Sequence, residues 1–95
     1  MYTEQFTEQG VYVLLQNAIA NVNPAKTEDG MLIISPYFVM QTAGYYTGRM
    51  CAEYNEDYGD WIIQPYDRVS EYFNNPELAQ DIADFLNGHS SDATH

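Results

Sequence analysis

Basic residues are scarce in this chain of 95 residues, in which three lysines and arginines stand against fourteen aspartates and glutamates. The formal net charge is −11 at pH 7. Nucleic-acid phosphates and anionic membrane surfaces would both be repelled, so we expect no direct binding to either. Such a charge keeps a small domain soluble and destabilises it by self-repulsion, and it also offers a surface to a basic partner.

Cysteine and long apolar runs are also lacking. Cys51 is the only cysteine, so no disulfide can form within the chain, which favours a reducing compartment. The N-terminus has neither the basic nor the apolar region of a signal peptide. The apolar runs fall far short of the roughly 20 residues that span a bilayer. We therefore expect a cytoplasmic protein that does not bind membranes.

The remaining composition is that of a folded domain. Hydrophobic residues make up 45% of the chain and aromatic residues 15%, with nine tyrosines, so the acidity does not indicate disorder. The length fits one domain, which we place at residues 1–88, followed by a flexible polar tail at 89–95. The second half carries most of the charge, since residues 53–92 hold ten carboxylates and one arginine.

Helix signals lie at both ends of the chain. Near the N-terminus, Thr3 or Thr7 can cap a helix whose apolar residues follow a 3.6-residue period until Asn23-Pro24. Near the C-terminus, Asn75 is a predicted N-cap, Pro76 occupies the first turn and Gly88 ends the helix. The predicted buried stripe of this second helix consists of Leu78, Ile82, Phe85 and Leu86.

The middle third favours strands. Met31–Ile34 is a short apolar run, and the tyrosines, threonines and glycines of 44–52 favour a strand, although 36–52 can also be read as a helix begun by Ser35-Pro36. A turn at Asn55–Gly59 would join that strand to Trp61–Gln64 as a hairpin. The predicted fold is therefore α+β, with an N-terminal helix, a small antiparallel sheet in the middle third and a C-terminal helix packed on the sheet.

Two groups of acidic residues are candidates for partner binding. The first surrounds the predicted turn, with two tyrosines between its carboxylates. It consists of Glu53, Tyr54, Glu56, Asp57, Tyr58 and Asp60. The ligand order of an EF-hand is missing, which argues against a calcium loop. The alternative interpretation is a solvated hairpin tip.

The second group lies on the C-terminal helix. Glu77, Asp81 and Asp84 are spaced i, i+4 and i+7, and no basic residue interrupts the line they form. Carboxylates about 6 Å apart resemble the phosphate spacing of a nucleic-acid strand, so such a line can compete for the same lysines and arginines. The alternative is again a solvated acidic surface. Of the tyrosines, we expect Tyr45, Tyr46 and Tyr72 in the core, and Tyr54 and Tyr58 exposed.

No catalytic motif, metal-ligand pattern or cofactor-binding motif is present, so we expect neither enzymatic activity nor a cofactor. Cys51 has no activating neighbour in the sequence and is predicted to be a buried small hydrophobe. Arg49 is expected to pair with an acid across the sheet, and Arg68 with Asp67 or Glu71.

Short motifs in residues 42–87 resemble small uncharacterised proteins encoded by bacteriophages. In these, a GYYIGR-like strand precedes a PYxRxSxYF turn and a terminal helix, as Gly44–Arg49, Pro65–Phe73 and the helix containing Leu78-Ala79 do here. The resemblance carries no catalytic residues with it. It implies a viral origin, and a similarity to inhibitors of host enzymes that handle nucleic acid, such as anti-CRISPR and anti-restriction proteins.

The function that the sequence favours is a non-enzymatic inhibitor that mimics nucleic acid and binds a basic, nucleic-acid-handling host protein through its anionic, tyrosine-bearing surface. The alternative is a structural or assembly module, with acidity serving only solubility. That module would form a homodimer through the strand rich in tyrosine and glycine, with an interface of Tyr45, Tyr46 and Met50.

Overall fold

The computed structural model describes residues 6–88, so the predicted tail at 89–95 lies outside the described residues. The elements in chain order are helix α1 (Glu8–Ala20), strands β1 (Leu32–Ile34), β2 (Phe38–Gln41), β3 (Tyr45–Asn55) and β4 (Asp60–Arg68), and helix α2 (Pro76–Leu86). A short 3₁₀ turn, Pro24–Lys26, follows α1. The predicted α+β arrangement of helix, antiparallel sheet and helix is confirmed.

Strand β3 is the centre of the sheet. Its residue Gly48 pairs with Phe38 of β2 on one edge and with Arg68 of β4 on the other. Glu53 likewise pairs with β1 and with β4. Strands β1 and β2 therefore share one edge of β3, as a single strand interrupted at residues 35–37. The range 36–52, for which helix and strand were both open, contains β2 and most of β3 and no helix.

Ser35 bridges the interruption between β1 and β2. Its hydroxyl accepts a hydrogen bond from the Met50 backbone N–H at 2.9 Å and donates one to the Pro36 carbonyl at 2.8 Å. Proline has no N–H with which to continue a ladder, so the chain must leave the regular pairing here. The serine side chain keeps the Met50 N–H satisfied, and β2 then resumes pairing with β3.

The β3–β4 hairpin is confirmed, with longer strands than the sequence predicted. Asn55 pairs with Asp60 beside the turn, and Arg49 pairs with Asp67 near the other end. Met50 pairs with Pro65 instead of Tyr66, so Tyr66 is an extra residue on β4. Such a bulge bends the edge strand and brings its backbone close to the neighbouring strand.

The two helices lie on opposite faces of the sheet. The face toward α1 carries the main core, to which Tyr46 and Ala52 of β3 belong. On the opposite face, the Thr47 hydroxyl donates a hydrogen bond of 2.6 Å to the Ala79 carbonyl of α2. The buried core consists of Val11, Leu15, Phe38, Met40, Tyr46 and Ala52.

Helix caps follow the sequence signals. The Thr7 side chain accepts a hydrogen bond from the Gly10 N–H at 3.0 Å, and it is this threonine that caps α1. The Asn75 side chain caps α2 by accepting from the Glu77 N–H at 3.0 Å. Gly88 follows α2 with a φ of 81°, a left-handed conformation that suits glycine at a helix end.

The predicted buried stripe of α2 is wrong. Ala79 and Ala83 are the residues that α2 buries, while Leu78 is 51% exposed and Phe85 is 69% exposed. Alanines allow the helix backbone to approach the sheet closely, and the short bond from Thr47 to the Ala79 carbonyl requires that approach. Asn87 fixes the other end of the helix, because its amide accepts from the Tyr37 N–H at 2.9 Å and donates to the Tyr37 carbonyl at 2.8 Å.

Replacing Thr47 by valine is expected to lower the free energy of unfolding by about 1–2 kcal/mol, because a fully buried hydrogen bond to α2 is lost while the shape is kept. Urea unfolding monitored by circular dichroism measures this difference. Thr42→Val, in the exposed turn between β2 and β3, is the matched control and should change stability by less than about 0.5 kcal/mol. Equal effects of the two substitutions would show that the Thr47 bond does not hold α2.

Candidate protein-binding surface

The turn between β3 and β4 is held by local hydrogen bonds. The Asn55 side-chain oxygen accepts hydrogen bonds from the N–H groups of Asp57 at 2.8 Å and Tyr58 at 3.2 Å. Gly59 adopts a φ of 66° and donates its N–H to the Asn55 carbonyl at 2.9 Å. The backbone that carries the predicted acidic residues is therefore ordered by local hydrogen bonds.

Asp29 joins these residues, which the sequence did not predict. Its carboxylate accepts a hydrogen bond from the Glu56 N–H at 2.8 Å. The pairing of β1 with β3 explains this contact, because Leu32 lies opposite Glu53 and the same register places Asp29 opposite Glu56. We call Asp29, Glu56, Asp57 and Asp60 the acidic tip.

The predicted residues around the turn are not all alike in the structure. Glu56, Asp57, Tyr58 and Asp60 are exposed, and Tyr58 is 75% exposed as expected. The expectation of an exposed Tyr54 is wrong, because its ring is half-buried on the α1 side of the sheet, edge-on to Trp61 with 5.5 Å between ring centroids.

Glu53 lies outside the turn, on the opposite face of the sheet from Tyr54. It is half-buried and accepts a weak hydrogen bond of 3.4 Å from the Gln64 side chain. Strand side chains alternate between faces, so successive residues of β3 cannot contribute to one surface. The exposed part of the first predicted group is therefore the turn itself.

The acidic residues of α2 form a separate surface. Glu77 and Asp81 are exposed, whereas Asp84 is half-buried and accepts a hydrogen bond of 2.9 Å from the Gln80 side chain. Helix α2 contacts β3 at Thr47, and the turn begins eight residues later at Asn55. At a rise of about 3.3 Å per residue, that separation is about 26 Å. The two predicted groups are not brought together.

Both arginines form contacts within the domain. Arg49 forms an ion pair of 2.7 Å with Asp67 across β3 and β4, as predicted, and its guanidinium lies 4.4 Å from the Tyr37 ring centroid and 5.2 Å from that of Tyr66. The hydrogen bond to Asp67 is the main cause that raises the pKa of Arg49. This arginine is therefore held as a charge between two aromatic rings.

The predicted partner of Arg68 is wrong. Asp67 is engaged by Arg49, and Arg68 instead donates a hydrogen bond of 2.7 Å to the Ser70 carbonyl and lies 4.8 Å from the Tyr72 ring centroid. Tyr72, which was expected in the core, is 51% exposed. Within residues 6–88, Arg49–Asp67 is the one ion pair, so no carboxylate of the acidic tip is ion-paired there.

Cys51 is buried at 2% exposure, which confirms the prediction that it is a small core residue. Burial raises the pKa of its thiol, and the nearby charge of Glu53 raises it further, with a smaller opposing effect from Gln64. The thiolate is the reactive form of cysteine. Both effects therefore keep this side chain in its unreactive form.

Labelling of Cys51 by a thiol-specific reagent at pH 8 is expected to be at least 100-fold slower in the folded protein than in denaturant, because access requires opening of the sheet. The measurement is the absorbance of the released chromophore over time. A Thr42→Cys variant, with a thiol in the exposed turn, supplies the rate of an accessible site in the same fold. Equal rates at Cys51 and at the turn would contradict the buried position of Cys51.

The strand expected to self-associate lies at the centre of the sheet. Both edges of β3 are paired, Tyr46 is 7% exposed in the core, and Met50 packs against that core. Of the three residues predicted for a homodimer interface, Tyr46 is buried, whereas Tyr45 and Met50 are half-buried. The two side chains Tyr46 and Met50, which sequence analysis assigned to an interface, are thus structural residues on the α1 side.

An open groove of about 440 Å³ lies between the start of α1 and the sheet. Its apolar lining includes Tyr12, Met40, Met50 and Pro65, and Glu8 adds one carboxylate. Neither the acidic tip nor the acidic residues of α2 line it. It is thus a feature of the α1 side, separate from both acidic surfaces.

Metal-binding clusters and membrane-spanning helices are both missing from the part of the chain that the structure describes. Among residues 6–88, no three His, Cys, Asp or Glu side chains are grouped closely enough to hold a metal ion. No helix in the same range has the length and apolar character to cross a membrane. No protein-family model, curated protein or solved structure matches this chain.

Proposed function

We propose that this protein is a non-enzymatic inhibitor that binds a basic, nucleic-acid-handling protein of a bacterial host. The acidic tip competes with nucleic acid for the lysines and arginines of that protein. The observation that carries the proposal is the acidic tip itself, in which four carboxylates from two chain segments are presented by a hydrogen-bonded turn, and none of them is ion-paired within residues 6–88.

Order in the turn favours binding. A surface that is fixed before binding loses less conformational entropy on association than a flexible acidic segment does. The backbone N–H groups of Glu56 and Asp57 are bonded to Asp29 and Asn55, so their carboxylates extend from a fixed backbone. Tyr58, between them and Asp60, adds a large exposed ring with a polar end, a side chain that is enriched in interfaces.

The net charge of −11 acts beyond the tip itself. A strongly negative domain attracts a basic protein over several ångströms and raises the rate of association, and this attraction weakens steeply with salt. Arg49 is paired with Asp67, and Arg68 lies opposite Gly48, at the other end of the hairpin from the turn. The expected mode of inhibition is therefore fast, salt-sensitive binding.

An affinity capture followed by a competition assay tests the proposal. The purified protein serves as bait for a bacterial lysate treated with nuclease, and bound proteins are eluted with a salt gradient and identified by mass spectrometry. We expect a nucleic-acid-handling protein to be eluted at moderate salt. Its binding to a fluorescent oligonucleotide should then decrease as the bait is added.

Three results would contradict the proposal. In the first, the captured protein binds the oligonucleotide equally well at saturating bait. In the second, nothing is eluted between low and high salt at any bait concentration. A substrate turned over by the purified protein alone would contradict its non-enzymatic character.

A further inference from the structure

Helix α2 carries a line of apolar side chains on the flank beside its buried alanines. Leu78, Ile82 and Phe85 are spaced i, i+4 and i+7, so they lie along one side of the helix. Leu78 and Phe85 are more than half exposed, and Ile82 is half-buried. Within the described residues, nothing buries Leu78 or Phe85, and we call this line the apolar ridge.

Contacts at two positions fix the rotation of α2. Thr47 bonds to the Ala79 carbonyl, and the Asn87 side chain forms two hydrogen bonds with the Tyr37 backbone. Turning the helix to bury the apolar ridge would break these three bonds and expose Ala83, which is fully buried. The ridge is thus held toward solvent by hydrogen bonds that also dock the helix.

The acidic line and the apolar ridge run side by side. Each apolar residue is directly preceded by an acid, so that Glu77, Asp81 and Asp84 form a neighbouring line about 100° around the helix. An amphipathic helix with anchors at i, i+4 and i+7 is the ligand in helix-in-groove recognition. Here the matching groove would have an apolar floor and a basic border.

A second copy of this chain fits the ridge poorly. Two copies that met through α2 would bring their acidic lines together, each on a domain of net charge −11. Like charges placed against each other across an interface disfavour association. Charge complementarity therefore selects a basic partner over self-association.

Two further exposed apolar side chains lie on the face of the sheet that carries α2. Leu32 and Ile34 pair with Glu53 and Cys51, which alternate onto the same face as Thr47 and α2. Leu32 is 42% exposed and Ile34 is 39% exposed. Helix α2 ends where Asn87 bonds to Tyr37, three residues beyond Ile34, so this half of the face is left uncovered by α2.

We propose that α2 is a recognition helix that inserts Leu78, Ile82 and Phe85 into an apolar groove bordered by lysine or arginine on a protein partner. Leu32 and Ile34 extend the contact on the sheet. This surface lies apart from the acidic tip, so the inference does not depend on competition with nucleic acid. It adds an apolar, salt-resistant part to the binding of a basic protein.

A designed peptide serves as the probe. It is a labelled helical peptide of leucine and lysine, about five turns long, with an apolar stripe bordered by lysines. A peptide of the same composition with a scrambled order has the same charge but no stripe. Fluorescence anisotropy should show at least about tenfold tighter binding of the patterned peptide, because only this peptide can contact the apolar anchors.

The variant Leu78→Ala/Phe85→Ala should remove this tenfold preference and leave the weak, salt-sensitive binding of the scrambled peptide unchanged. Its folding should be preserved, since both side chains are exposed and alanine favours helix. Tyr12→Ala/Val13→Ala, two exposed positions on α1, is the matched control and should keep the preference. The variant Glu56→Lys/Asp57→Lys should also keep it, which separates this inference from the function proposed for the tip.

Two results would overturn the inference. One is an unchanged preference for the patterned peptide in the Leu78→Ala/Phe85→Ala variant. The other is a wild-type dimer in sedimentation equilibrium that Phe85→Ala converts to a monomer, because the occupant of the ridge would then be a second copy.

Discussion

Gly48→Ala is expected to lower the free energy of unfolding by about 3 kcal/mol, enough to lower the melting midpoint by roughly 10–20 °C in a domain of this size. A Cβ atom on Gly48 would lie less than 3.0 Å from the Asp67 carbonyl oxygen, and 3.2 Å and 3.3 Å from the side chains of Tyr46 and Met40. The first contact is with backbone, which cannot rotate away. Strands β3 and β4 would have to separate where the bulge brings them together.

Thermal and urea unfolding of Gly48→Ala and Gly59→Ala distinguishes the destabilisation caused by a steric clash from that caused by an unfavourable backbone conformation. Gly59 has a φ of 66°, and no atom lies within 4 Å of the position that a Cβ would take there, so its replacement costs only the left-handed conformation, about 1–2 kcal/mol. If Gly48→Ala were no more destabilising than Gly59→Ala, the close approach of β4 to β3 would be wrong.

Charge reversal at the acidic tip is expected to have the largest effect on binding. Glu56→Lys/Asp57→Lys should weaken the affinity for the captured basic protein by about 100-fold, at a cost of about 1.4 kcal/mol for each reversed charge. Both side chains are exposed, and their bonds within the turn come from backbone N–H groups, so the fold should be retained. Surface plasmon resonance at several salt concentrations measures the affinity, the association rate and the salt dependence.

The control for this variant is Glu8→Lys/Glu71→Lys, which changes the net charge by the same amount at exposed positions outside the tip. We expect it to slow association slightly and to leave dissociation unchanged, because only the long-range attraction is reduced. Equal losses of affinity in the two double variants would mean that total charge decides binding and that the acidic tip has no special part in it.

Local sequence signals predicted the elements of this fold well. The caps Thr7 and Asn75 and the terminal Gly88 mark helix ends through bonds and dihedral angles that involve only neighbouring residues. The β3–β4 hairpin was likewise predicted from a turn and its flanking residues. Such signals depend only on neighbouring residues, so they can be recognised in a single sequence.

The side of α2 that faces the sheet was not predictable from the helix alone. Periodicity identified Leu78 and Phe85 as an apolar line, and an apolar line is ordinarily buried. Which residues are buried depends on what the sheet offers, and here Thr47 requires a close backbone approach that only Ala79 and Ala83 permit. That requirement comes from a residue 32 positions away in the sequence.

In the candidate site, too, local features were predicted from the sequence and long-range contacts were not. Glu56, Asp57 and Asp60 were predicted because they are neighbours in sequence, whereas Asp29 reaches the tip through the pairing of β1 with β3. The predicted ion-pair partner of Arg68 was also wrong, because Asp67 pairs with Arg49 across the hairpin. Long-range pairing decides these contacts, and a single sequence does not specify it.

A proline interrupts each of the two edges of the sheet, and this bears on how the protein behaves at high concentration. Pro36 divides β1 from β2, and Pro65 lies within β4. Neither side of the sheet can therefore present an unbroken row of N–H groups to another chain, which is the template for fibril growth. A domain that leaves Phe85 and Ile34 exposed is thus guarded against amyloid-like stacking by its backbone as well as by its charge.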